Sequence, residues 1–206
     1  DGWFLFSKNW RLTYELSLNF NEEPLADWID TEDQLSDRSI ALNKERFNGK
    51  SIYFQLYRNT QKWKSYLTYK DISPNFQADV GFVVKNNRRW ATLYHTYQVF
   101  PNKPAIQFFS IGTKADVLYT YQDYLKTISI DGIISLKTLF NTEINYTYDW
   151  DAFKNFLGRD YKNLASNRFE IQNNPSESFS MNINLTFGRD LAYNEKDPEI
   201  GKEFNF

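Results

Sequence analysis

The stretch Ile128–Trp150, ISIDGIISLKTLFNTEINYTYDW, alternates between two kinds of side chain along its whole length. Its even positions include Ile128, Ile130, Ile134, Leu136, Phe140, Ile144, Tyr146, Tyr148 and Trp150, while Asp131, Lys137, Glu143 and Asp149 all fall on odd positions. A period of two places successive side chains on opposite faces of an extended chain, so the stretch predicts a strand with one apolar and one polar environment. Strands of soluble proteins average about 5 to 6 residues, whereas a tilted strand crossing a bilayer needs about 9 to 11 and can project beyond it. Read as one unbroken element, Ile128–Trp150 predicts a transmembrane β-barrel strand.

The same rhythm recurs elsewhere. Trp10, Leu12, Tyr14, Leu16, Leu18 and Phe20 alternate with Arg11, Thr13, Glu15, Ser17, Asn19 and Asn21, and Phe179, Met181, Ile183, Leu185 and Phe187 alternate with Ser178, Ser180, Asn182, Asn184 and Thr186. A Lys or Arg facing lipid near the midplane costs about 2 to 4 kcal/mol, so the absence of cations from all three apolar rows suits a lipid-facing surface. It equally suits a sandwich core, which leaves strand length to separate the two. Weaker strand signals cover residues 51–57, 63–70, 90–100, 105–121 and 168–173, for about eight strands in total. Arg58–Gln61 and Pro101–Pro104 have the Asn and Pro content of tight turns, while residues 21–50 and 151–167 read as long polar loops of the extracellular kind.

Composition narrows the classes. The chain has 206 residues, and 18% of them are aromatic, with Tyr 14, Phe 18 and Trp 6; its mean hydropathy is nevertheless polar at -0.63. That pairing fits a barrel with a wet lumen and aromatic girdles, or a sugar-binding β-sandwich. A net charge of -2 offers no clustered basic surface for nucleic acid. With no cysteine there is neither a disulfide framework nor a thiolate metal site. No run of about 18 apolar residues predicts a transmembrane helix, a test that barrel strands escape. Asp1–Phe6 lacks the basic and apolar regions of a signal peptide, so the expectation is a processed or partial chain. Glu199–Phe206 resembles the C-terminal assembly signal of outer-membrane barrels, with Gly201 followed by Phe204 and Phe206.

The segment Lys70–Val84, KDISPNFQADVGFVV, resembles a motif of large Gram-negative outer-membrane proteins that carry an N-terminal family-9-like carbohydrate-binding module ahead of a barrel domain of unknown function. Asn174–Ser176, Gly188–Tyr193 and Ile200–Lys202 are similar to later stretches of that barrel, so the resemblance spans residues 63–202. Two departures accompany it: no such module precedes the barrel strands, and the family's closing strands after the Gly-Lys stretch are missing. The resemblance therefore implies a fragment from inside a larger barrel, at odds with Phe206 as a native terminus.

Chemical candidates are few. His95 is the single histidine and no Gly-x-Ser-x-Gly elbow accompanies it, so it reads as a packing or lumen residue. The acidic run Glu22, Glu23, Asp27, Asp30, Glu32, Asp33 and Asp37 has calcium-like ligands without an EF-hand spacing and reads as a solvated loop. Asp149 and Asp151, at i and i+2 on a strand, share a face about 6.5 to 7 Å apart, within the broad range of glycosidase acid/base pairs. Asp-Trp-Asp at a strand end is also a rim device, with Trp at the interface and carboxylates in water, and this reading prevails. Gly81 and Gly188–Asp190 lack a following helix start and read as turns or bulges.

These readings converge on one all-β domain over residues 1–206, an antiparallel transmembrane β-barrel of about eight strands forming part of a larger barrel in the outer membrane of a Gram-negative cell. Its expected role is transport, assembly or surface carbohydrate handling, with no catalytic constellation, cofactor or metal. Trp10, Trp63, Trp90 and Trp150 are the expected interfacial anchors, and Arg11, Glu15, Lys137 and Glu143 the expected lumen residues. Expected partners are the lipid bilayer and lipopolysaccharide, other outer-membrane chains or a plug, and a glycan, with no nucleic acid. The alternative is a soluble carbohydrate-binding β-sandwich.

Overall fold

The structure, a computed structural model, describes residues 1–25, 34–35, 38–39, 44–76, 86–139, 141–176, 179–193 and 198–206. The strands are β1 (Gly2–Ser7), β2 (Trp10–Glu22), β3 (Gln34–Leu35), β4 (Arg38–Ser39), β5 (Arg46–Asn59), β6 (Trp63–Ile72), β7 (Arg88–Val99), β8 (Ile106–Tyr119), β9 (Leu125–Thr138), β10 (Thr142–Phe156), β11 (Arg159–Ser176), β12 (Phe179–Leu191) and β13 (Ile200–Asn205). All but β3 and β4, which pair with each other, form one 11-stranded antiparallel sheet in chain order. β1 and β13 are its end strands, and the sheet is not closed into a barrel. No helix occurs among the described residues.

Ile128–Trp150 is not one strand. β9 ends at Thr138, β10 begins at Thr142, and Asn141 takes φ 51° in the turn between them, a left-handed conformation that Asn tolerates better than most residues. The reason the turn is silent in the alternation lies in the register. Leu136 pairs with Ile144 and Ile134 with Tyr146, so even residues face even residues and the apolar row crosses the hairpin without changing phase. The polar row crosses in the same way, with Lys137 opposite Glu143.

Residues 151–167 are also not a loop. β10 continues to Phe156 and β11 starts at Arg159, with Leu157 at φ 49° and Gly158 at φ 80°. Positive φ at both central residues of a two-residue connection is the hairpin geometry that matches strand twist. The division of Ile128–Trp150 adds one strand to the expected eight and β1 and β13 add two, giving eleven in the main sheet, while the β10–β11 hairpin lengthens strands already expected. The turns expected at 58–61 and 101–104 are present, between β5 and β6 and between β7 and β8. Within residues 21–50, β2 extends to Glu22 and β5 begins at Arg46, while most of the rest lies outside the described residues.

The chain groups into two compact units, residues 1–56, 68–91 and 118–125 in one and residues 57–67, 92–117 and 126–206 in the other. In the first, Leu16 is 59% and Phe20 75% exposed, while Ser17, Asn19 and Asn21 between them are more sheltered. In the second, Leu93 and Ile111 are exposed while Thr92, Thr96 and Ser110 are buried. On β2, β7 and β8 the apolar rows are thus more exposed than the small polar residues between them. The buried apolar residues are only Phe47, Ile72, Phe76, Leu164 and Leu191 among those described. In water each outward Leu or Phe would forgo about 1.5 to 3 kcal/mol of burial, a large loss when repeated along many strands.

Candidate functional site: a charged recess on the polar face

In the second unit β9, β10, β11 and β12 are neighbours in the sheet. Asp149 of β10 pairs with Asp131 of β9 on one side and Ser166 of β11 on the other, and Asp151 pairs with Ser129 and Leu164. Paired residues project to the same side of a sheet, so the register itself gathers three aspartates. Ser129, Asp131, Asp149, Asp151, Ser166, Arg168 and Asp190 line an open recess of about 210 Å³. Gly188 pairs with Ser166 in the neighbouring rung. A Cβ there would collide with the Ala165 carbonyl oxygen and Ser166 Cα, so this glycine permits close strand approach in regular register rather than making the turn or bulge expected of it.

Like charges directly opposite one another destabilise a sheet unless cations intervene. Each carboxylate has one. Lys114 Nζ bridges Asp116 and, at 3.7 Å, Asp131. Arg168 Nη2 stands 3.4 Å from Asp149 Oδ2, close enough for charge attraction though not aligned as a hydrogen bond. Lys154 Nζ lies 2.8 Å from Asp151 and 3.6 Å from Asp190. Thr92 Oγ1 donates to Asp116, and the Tyr193 hydroxyl donates to Asp190 at 3.1 Å. Burial pushes the Tyr193 phenol above its ordinary value, which keeps it a donor.

The arrangement suits contact with polar, hydrated solutes better than bond-breaking chemistry. Asp149 and Asp151 do share a face, as their spacing predicts, and Arg168 and Lys154 stand against them. Among the described residues no group of three His, Asp or Glu side chains stands ready to hold a metal ion. Lys114, Lys154 and Arg168 were not singled out by the sequence, and Asp190 was read only as part of a turn or bulge, because only strand register brings them to the aspartates.

The other candidates lie apart from the recess. His95 Nδ1 shares a hydrogen bond with Ser65 Oγ at 2.6 Å, and its ring stacks on Trp63 at 5.0 Å. Both residues alternate in step with the exposed Leu67 and Leu93, so His95 belongs to the outward apolar row rather than to the polar face. Trp90 stands on the opposite side of β7, with Lys70 Nζ 5.5 Å and the Arg88 guanidinium 4.6 Å from its ring. That neighbourhood, in step with buried Thr92, is not the outward anchor expected of it. Trp10 and Trp63 are exposed and Trp150 half-buried. Glu22 pairs with Arg46 at 2.8 Å, whereas Asp27, Asp30, Glu32, Asp33, Asp37 and Gly81 lie outside the described residues.

No protein-family model, curated protein or solved structure matches the chain.

Proposed function

We propose that this chain is a segment of an outer-membrane β-barrel whose polar face lines a water-filled lumen and whose apolar face meets lipid. The observation that carries the reading is the inversion of burial: Leu16, Leu18, Phe20, Leu93 and Ile111 are exposed while Thr92, Thr96 and Ser110 are buried. A bilayer turns that arrangement from a loss into a gain, because the outward rows then sit in hydrocarbon and the polar rows keep water. Strands β2 and β5 through β12 run 10 to 18 residues, enough for the roughly 9 to 11 that a tilted crossing needs. Length therefore supports the reading even with Ile128–Trp150 divided in two.

Strand parity supports a larger assembly. In an antiparallel sheet of eleven strands taken in chain order, β1 and β13 run in the same direction. All-antiparallel closure therefore takes an odd number of further strands, and in lipid the edge amides of both end strands must find partners. The role that follows is passage or surface handling of polar solutes, with a glycan the class suggested by the family resemblance. Lipid and lipopolysaccharide would surround the apolar rows. A soluble carbohydrate-binding sandwich would bury those same rows between two sheets, and here they are exposed.

Charge substitution tests the reading. Leu16→Arg places a cation in the outward row at a cost of about 2 to 4 kcal/mol near the midplane and should abolish recovery from the outer-membrane fraction. Asn145→Lys, on the polar face, should be recovered like the unaltered protein. Equal recovery of the two variants would count against a membrane location.

A further inference from the structure

The first described residues after β6, Ser73–Phe76, stay against the sheet. At Ser73 the chain stays tied to β5 by two hydrogen bonds, Ser73 N–H to the Lys50 carbonyl at 2.9 Å and Lys50 N–H to Ser73 Oγ at 2.8 Å. Pro74 and Asn75 then form a turn closed by Phe76 N–H donating to the Ser73 carbonyl at 3.2 Å. The turn lies on the polar side of β2 and β5: Asn19 Nδ2 donates to the Asn75 carbonyl at 3.4 Å, and Asn19 belongs to the polar row of β2. Asn86 Nδ2 donates to the Pro74 carbonyl and secures the other side of the turn.

Gly49 makes this possible. A Cβ at that position would collide with Phe76 Cα, the Asn75 carbonyl oxygen and Asn19 Oδ1, two of which are backbone atoms that cannot swing aside. Residues 71–76 are buried without interruption. Phe47, Ile72, Ser73, Asn75 and Phe76 are all buried, and Ile72 is only 2% exposed. Here the polar face of β2 and β5 carries a second layer of backbone.

We propose that Ser73–Phe76 is a resident constriction of the lumen, seated on Gly49 and Asn19, that sets the upper size of solute able to pass. The inference rests on the barrel reading above. It also gives the Lys70–Phe76 part of the sequence motif a physical role, in which Ile72 and Phe76 are buried at the turn, Ser73 ties it to Lys50, Asn19 and Asn86 donate to its Asn75 and Pro74 carbonyls, and Pro74 fixes its φ.

Permeation of neutral sugars of increasing size into liposomes holding the protein extracted from its own membrane tests the constriction. Gly49→Val should displace the turn and admit larger sugars, with a several-fold faster rate for those near the unaltered protein's limit. Asn19→Cys combined with Asn75→Cys, in a chain that has no cysteine of its own, should cross-link on oxidation and leave the limit unchanged. Should Gly49→Val not assemble, Phe76→Ala serves in its place, with the same expected rise. An inserted, conducting variant with an unaltered size limit, or a cysteine pair that does not cross-link, overturns the constriction and leaves the barrel reading standing. Failure of the unaltered protein to insert or conduct overturns both.

Discussion

The Ile72–Phe76 neighbourhood and the Asp131–Asp190 recess both occupy the polar side of a sheet, and they are stabilised by opposite means. Around Ile72 the chain covers that side with backbone and buries Phe47, Ile72 and Phe76 beneath it, so packing supplies the stability. The recess is open among the described residues, and its facing aspartates are held by Lys114, Arg168 and Lys154 from other positions on the sheet. The difference shows that an inward polar face can be filled or left open within one chain. An open face must be compensated by charge pairing; a filled one must admit a glycine wherever the second layer touches.

Three substitutions sharpen that contrast. The largest effect is expected at Ile72, where Ile72→Ala should cost about 2 to 5 kcal/mol by opening a cavity in the packed region, measured as a lowered denaturation midpoint in detergent. The cost should not depend on ionic strength. Lys154→Met removes the cation shared by Asp151 and Asp190 and should cost about 1 to 3 kcal/mol, since charged hydrogen-bonding groups are left without their partner. Because the recess is open to solvent, added salt should shrink that difference between variant and unaltered protein. A salt-independent loss would mean that Lys154 acts through packing of its stem. The smallest effect is expected for the cross-strand pair Lys137 and Glu143, where Glu143→Gln should cost about 0.2 to 1 kcal/mol.

Much of the sheet is legible in the sequence because a period of two needs no distant information. The rows of β2 and β12 and the turns after β5 and β7 follow from local residue type alone. The β9–β10 turn is hidden for a specific reason: its register keeps even residues opposite even ones, so the pattern carries no mark of reversal except Asn141. Gly158 marks the next turn equally faintly, and the surrounding charge of residues 151–167 outweighs it as a signal. Lys154 and Asp160 look like loop residues until pairing places Lys154 beside Asp151 and Asp190, and Asp160 opposite Asn155.

The recess is legible only in part. Asp149 and Asp151 announce themselves as an i, i+2 pair, but their cations come from β8, β11 and the far end of β10. No local pattern encodes which rung of β8 meets β9. Ser73–Phe76 illustrates the same limit. Its residue types suit a turn, yet that the turn lies over Gly49 depends on the pairing of β5 with β6, which alternation alone leaves undetermined.

If the apolar rows face lipid and the polar rows face water, single-cysteine labelling in intact outer membranes reads that division most directly. Cysteine placed at Leu16, Leu18, Ser17, Ile144 or Asn145 would be exposed to a membrane-impermeant, water-borne maleimide small enough to enter the lumen. Labelling is expected at Ser17 and Asn145, with protection at Leu16, Leu18 and Ile144. In water the bare sheet predicts the reverse for β2, because Leu16 and Leu18 are each 59% exposed there. Labelling at the leucines in preference to Ser17 would contradict the membrane reading.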